Sequence, residues 1–139
     1  MNLSKSHKSY FNAAKAMSEL SKVKQTKMGC VITYKHKIIS SGCNRYKTNP
    51  LQKKYNKYRF IEDEGRHCVH AETDALIPLM NRRDIDFSNV SLYIYREHKN
   101  GDLGLARPCP SCQELIRSLG IRFVYYTGEK SYVGEEFIY

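Results

Sequence analysis

Two short clusters constrain this chain more than anything else in it: His70-Ala71-Glu72 and Pro108-Cys109-Pro110-Ser111-Cys112. Each stands where a helical pattern begins, after a strand or an irregular stretch. Residues at i and i+2 of a helix do not share a side face, so His70 and Glu72 converge only if their helix points its N-terminus at a common site. Cys109 and Cys112, at i and i+3, lie on one face of a turn. A proline suits a first helical turn, where a missing amide proton costs nothing, so Pro108 or Pro110 fits the opening of the second helix. A fold that unites the clusters must therefore bring two helix N-termini to one place.

One imidazole and two thiolates are a ligand set suited to Zn2+. Helix N-termini aimed at the metal help keep both thiolates deprotonated. Three protein ligands leave the fourth tetrahedral position to water, whose pKa zinc lowers to about 7. Glu72 is then placed to take a proton from that water and pass it on. Taken singly, Cys-x-x-Cys also serves structural zinc and redox sites, and His-x-Glu says little; both together, each opening a helix, are specific. A closed site of Cys68, His70, Cys109 and Cys112 would be structural zinc, but Cys68 reaches the same metal only through a tight bend. His67 and Cys68 otherwise line the pocket or help to hold a second zinc.

The five cysteines are an odd number, and Met1-Asn2-Leu3-Ser4-Lys5 lacks the apolar core of a signal peptide, which favours a metal site over a disulfide framework. The expectation is a cytoplasmic protein. No apolar run approaches the ~18 residues of a membrane span. Cys30 and Cys43 read as small apolar core residues.

No repeat, low-complexity tract or linker divides the 139 residues, so a single domain over 1–139 is expected. Apolar residues at Tyr10, Ala13, Ala14, Met17 and Leu20 predict an amphipathic helix from Ser6 to about Val23. Gly29 to Tyr34 and Ile38 to Ser41 predict a hairpin turning at Lys35-His36-Lys37. Residues 45–66 read as a long polar loop, a length uncommon in a compact domain unless it binds something or is disordered. A helix from near His70 through Leu76 is kinked or ended by Pro78. Val90 to Tyr95 is a predicted strand, followed by a loop at 98–106. The second motif helix starts at Pro108 or Cys109 and stops at Gly120, a C-cap. Ile121–Thr127 and Val133–Tyr139 complete the order α-β-β-α-β-α-β-β, a mixed sheet with helices on its faces.

With both motifs in this order, the chain resembles the zinc-dependent cytidine/deoxycytidylate deaminase superfamily, whose signature is His-x-Glu followed by Pro-Cys-x-x-Cys. The similarity covers most of the chain. It implies a cytidine deaminase-like three-layer α/β/α sandwich on a five-stranded mixed sheet, with homo-oligomers common among relatives. Both a helix-linked parallel pair and a hairpin, here around Gly128, occur at the end of such sheets. The resemblance makes His70, Cys109 and Cys112 zinc ligands and Glu72 the proton shuttle in hydrolytic removal of an exocyclic ring amine as ammonia. It also places Asn44, against the plain alternative of a turn asparagine, at a position that contacts the substrate sugar, and the Ala71 amide at the pyrimidine carbonyl.

Substrate class rests on charge and on departures from the pattern. Residues 1–60 carry 14 Lys and Arg against Glu19 alone, a balance of +13, while residues 61–139 balance to −4. A basic half points to an anionic partner or simply to solvated lysines. Arg45, Lys47, Lys53, Lys54, Lys57 and Arg59 alternate with Tyr46, Tyr55 and Tyr58. Such a stretch suits a single-stranded nucleic acid or one 5′-phosphate, against the plain alternative of a solvated loop with no ligand, with Arg45 and Tyr46 at its start as candidate substrate contacts. His70 stands where free-nucleoside deaminases of the superfamily have Cys, and Ser111 where the tRNA-adenosine branch has Met. The expectation is a nucleotide substrate of the dCMP type. The alternatives are cytosine, less readily adenine, in single-stranded DNA or RNA, and more remotely a non-catalytic zinc-stabilised nucleic-acid-binding module.

Overall fold

The structure, a computed structural model, describes residues 3–23, 26–46 and 69–137. His67, Cys68 and residues 47–66 of the expected loop lie outside the described residues. Helix α1 (Lys5–Glu19) opens at Ser4, whose hydroxyl caps the His7 amide at 3.1 Å. It ends before the expected Val23 because the Ser21 hydroxyl turns across the molecule, donating to the Asn44 side-chain oxygen at 2.6 Å. Strands β1 (Lys27–Tyr34) and β2 (Lys37–Cys43) form the expected hairpin. Its turn is Lys35-His36 alone, both at positive φ (52° and 64°), the hand that matches strand twist.

Helix α2 (Ala71–Leu76) passes into a 3-10 turn, Ile77–Leu79, at Pro78, which ends the helix as the missing amide requires. Strand β3 (Val90–Glu97) precedes α3 (Pro110–Leu119), whose start is Pro110, with Cys109 as the capping residue. Gly120 closes α3 in the left-handed conformation at φ 82°. Strands β4 (Phe123–Thr127) and β5 (Tyr132–Glu136) follow, the last starting and ending earlier than the expected Val133–Tyr139 within the described residues.

The five strands lie in the order β2-β1-β3-β4-β5. β1 is antiparallel to both neighbours, β3 and β4 are parallel, and β4 and β5 make the hairpin across Gly128. Because β2 and β3 each run against β1, they point the same way, and the helices that follow them start at the same end of the sheet. Ligand sites of open α/β sheets gather at that carboxyl end.

Alternation along the strands builds the two cores. Cys30, Ile32, Leu92, Ile94 and Val124 face α2 and α3, where they pack on Ala71, Leu76, Leu115 and Ile116. Val31, Tyr93 and Tyr95 face α1 and pack on Phe11 and Ala14. Each fully buried Leu, Ile or Phe contributes about 1.5–3 kcal/mol. The result is the three-layer sandwich, with α1 on one face and the motif helices on the other. At Gly29 an added Cβ would stand 2.0 Å from the Ala14 carbonyl oxygen, so α1 lies directly on the β1 backbone. Among the described residues no helix is long and apolar enough to cross a membrane.

Candidate metal centre and active site

His70 is the residue before α2, with extended backbone (φ −77°, ψ 155°) and an imidazole that makes no capping bond to the helix. The ring turns toward the start of α3. Its Nδ1 lies 3.2 Å from Cys112 Sγ and 3.5 Å from Cys109 Sγ. The three donor atoms fall within 4.8 Å of one another, the one such cluster among the described residues. Two helix starts 39 residues apart thus meet as their spacing required.

The donor set has the chemistry of a soft-metal site. The Cys109 thiol is held well below its ordinary value, first by the hydrogen bond from Cys112 and then by the His70 ring. The reciprocal bond, burial and the nearby Glu72 charge push Cys112 up. Two sulfurs and an imidazole that already share charge at this separation fit a tetrahedral zinc with three protein ligands.

Glu72 sits in the first turn of α2 and is only 3% exposed. Burial pushes its carboxyl up, against the opposing pull of the His70 charge and a hydrogen bond from Cys112. A buried carboxyl set against three metal-type donors is a candidate proton carrier.

The helix that carries His70 and Glu72 is held against β2. An added Cβ at Gly42 would stand 2.6 Å from Ala75 N and 2.9 Å from the Ala71 carbonyl oxygen. Ser40 Oγ donates to the Ala75 carbonyl at 2.6 Å. Asp74, one turn after His70, accepts from the Cys43 amide at 3.1 Å and from Arg45 Nε at 3.2 Å. Arg45 and Val69 exchange backbone hydrogen bonds at 2.9 Å, which sets Arg45 beside the residue that precedes His70.

The remaining expected residues take separate places. Ala71 is the first residue of α2, so its amide has no helical carbonyl to bond. Arg45 and Tyr46 are exposed and follow β2. Asn44 is buried, and its side chain is engaged inside the protein. Its Oδ1 accepts from Ser21 Oγ (2.6 Å) and the Met28 amide (3.0 Å), and its Nδ2 donates to the Thr26 carbonyl (2.5 Å). Cys30 and Cys43 are buried and free, as expected of core cysteines. Sequence reasoning missed Asp74, whose one signal is an acid a single turn after the histidine, and Gly42, which carries no signal until α2 is laid on it.

The family described as the cytidine and deoxycytidylate deaminase zinc-binding region matches residues 4–128. A Drosophila melanogaster protein named probable deoxycytidylate deaminase is 26% identical over 132 residues, covering 87% of this chain and 59% of the relative. The chain therefore spans less than two thirds of that relative's length. Several solved structures share the fold. The dCMP deaminase of cyanophage S-TIM5, in complex with dCMP and dUMP, superposes with a TM-score of 0.60 at 22% identity, over 90% of this chain and 83% of that one. A cytidine deaminase from Burkholderia pseudomallei gives 0.64 at 20% identity, over 94% and 91%.

Proposed function

The chain belongs to the cytidine and deoxycytidylate deaminase family, and we propose that it hydrolytically deaminates a cytosine-bearing nucleotide of the dCMP type, with zinc held by His70, Cys109 and Cys112. The observation that carries this is the buried Glu72 carboxyl beside the converged imidazole and thiols. Zinc, when bound there, supplies Lewis-acid activation of water near neutral pH. The reaction replaces the exocyclic amine of the ring with oxygen from water, and the broken C–N bond releases ammonia.

Glu72 takes a proton from the attacking water and gives it back on the substrate side. Its raised carboxyl pKa suits that double duty, because a carboxylic acid that is not too strong can hold the proton between transfers. The Ala71 amide, free of helical bonding, is the donor for the pyrimidine carbonyl. Arg45, bridged to Val69 next to His70, and Tyr46 after it supply a cation for the 5′-phosphate and a ring for the nucleotide. Asn44 completes the sugar side by exchanging one of its internal bonds for a substrate hydroxyl. The phage neighbour's complex with dCMP and dUMP and the name of the fly relative support a nucleotide over a polymer.

Ammonia release from zinc-loaded protein, measured on dCMP, CMP, deoxycytidine, cytidine and a cytosine-containing single-stranded oligonucleotide, tests the reading. Turnover of dCMP without turnover of the oligonucleotide is expected. Turnover of the oligonucleotide alone overturns the nucleotide assignment and makes Arg45 and Tyr46 the start of a strand-binding surface.

A further inference from the structure

The segment that delivers Cys109 to the metal centre is tied down residue by residue. Gly104 donates its amide to the Arg96 carbonyl at 2.9 Å and accepts from Thr127 Oγ1 at 2.6 Å. Leu105 donates to Glu129 Oε1 at 3.2 Å, and its carbonyl accepts from Arg96 Nη1 at 3.2 Å. The Ala106 amide bonds the Thr127 carbonyl at 2.8 Å. Arg107 makes a two-pronged pair with Glu135, Nε to Oε1 at 3.0 Å and Nη2 to Oε2 at 2.9 Å. The Pro108 carbonyl accepts from Gln113 Nε2 at 2.7 Å, inside α3 itself.

Four of these five residues are fastened to the β4–β5 hairpin. Thr127 is wholly buried, and its hydroxyl also accepts the Arg96 amide at 3.1 Å, so one side chain joins β3, β4 and the segment. Glu135 is oriented from behind by the Tyr126 hydroxyl at 3.1 Å. Its partner Arg107 stands two residues before Cys109, with a side chain 46% exposed against 26% for Glu135. An ion pair so exposed contributes little to global stability. A planar two-pronged pair instead fixes orientation.

From this geometry we infer that Thr127 and Glu135 are positioning residues for the thiolate pair: through Gly104 and Arg107 they set where Cys109 enters α3, and so how closely its sulfur meets His70 and Cys112. The inference rests on the reading of His70, Cys109 and Cys112 as a zinc site. It gives the β4–β5 hairpin, far in sequence from the His-x-Glu motif, a part in metal binding.

The test is zinc affinity by chelator competition on Glu135→Ala and Arg107→Gln, together with the visible spectrum of the cobalt-substituted proteins. Expected are zinc binding weakened about 10–100-fold, the usual cost of losing a group that orients a metal ligand, and a shifted cobalt spectrum. The melting temperature of the metal-free protein should stay close to wild type. Pairing Arg107→Glu with Glu135→Arg is expected to recover much of the affinity. Unchanged zinc affinity and cobalt spectrum in both single variants overturn the inference, whatever happens to melting. If wild-type protein binds no zinc, the metal-site reading is what fails. The positioning role is then decided by the rate of iodoacetamide alkylation at Cys109 in metal-free protein, read by mass spectrometry. A rate altered by Glu135→Ala upholds it, and an identical rate overturns it.

Discussion

His70 and Glu72 reach the site on a helix pressed into β2 by backbone contact, whereas Cys109 and Cys112 reach it at the end of a segment fastened by side-chain hydrogen bonds. On the first side the decisive residues are small: Gly42, Ala71 and Ala75 let α2 lie on the strand. On the second they are polar: Thr127, Glu129, Glu135 and Arg96 hold the chain from Gly104 to Arg107. Close packing tolerates no added volume, while a polar fastening tolerates volume but depends on donors, acceptors and charge. The two halves of one centre should therefore fail to different kinds of substitution.

Gly42→Ala attacks the packed half and should have the largest effect. The new methyl meets the α2 backbone, which has no rotamer with which to retreat, so a loss of about 3 kcal/mol is expected, at the upper end for overpacking. Denaturant unfolding with the m-value checked gives the number. A loss below about 0.5 kcal/mol, the level of an ordinary surface change, would show that α2 slides freely on β2.

Thr127→Val attacks the fastened half while keeping the shape. It leaves the Gly104 carbonyl and the Arg96 amide without the hydroxyl, and a loss of about 1–3 kcal/mol follows from unpaired buried polar groups. The same unfolding measurement applies, and no loss would mean that water replaces the hydroxyl at no cost.

The smallest effect is a pH dependence. Arg107 holds the Glu135 carboxyl below its ordinary range. A carboxyl depressed in the folded state adds stability above its unfolded pKa of about 4.3 and loses it as pH falls through the folded value. The stability difference between wild type and Glu135→Gln should thus be present at pH 6, stay under about 1 kcal/mol for so exposed a pair, and vanish well below pH ~4. Glu72, raised by burial, moves the opposite way in both proteins and cancels in the difference. A difference that grows on acidification would contradict the assignment.

Legibility in the sequence followed the same division. The convergence of His70, Cys109 and Cys112 was legible because metal chemistry fixes residue types and a helix start fixes their spacing. The strands were readable as short apolar runs, and Pro78 and Gly120 mark the helix ends their backbones dictate. The early end of α1 was not readable, because the bond that draws Ser21 away is made to Asn44, 23 residues on. The role of Thr127 was hidden likewise, since its partners Arg96 and Gly104 are distant in sequence and belong to different elements. β3 outruns its predicted end at Tyr95 because β1, starting at Lys27, pairs with it as far as Glu97.

The most direct test of the account is Glu72→Gln, measured for zinc content and for dCMP deamination side by side with wild type. The substitution keeps the size of a buried side chain and removes only its capacity to carry a proton. The account predicts a full complement of zinc, a folded protein and a rate lower by about 10²–10⁴-fold. Deamination at the wild-type rate would contradict it, because the buried carboxyl would then have no part in the chemistry.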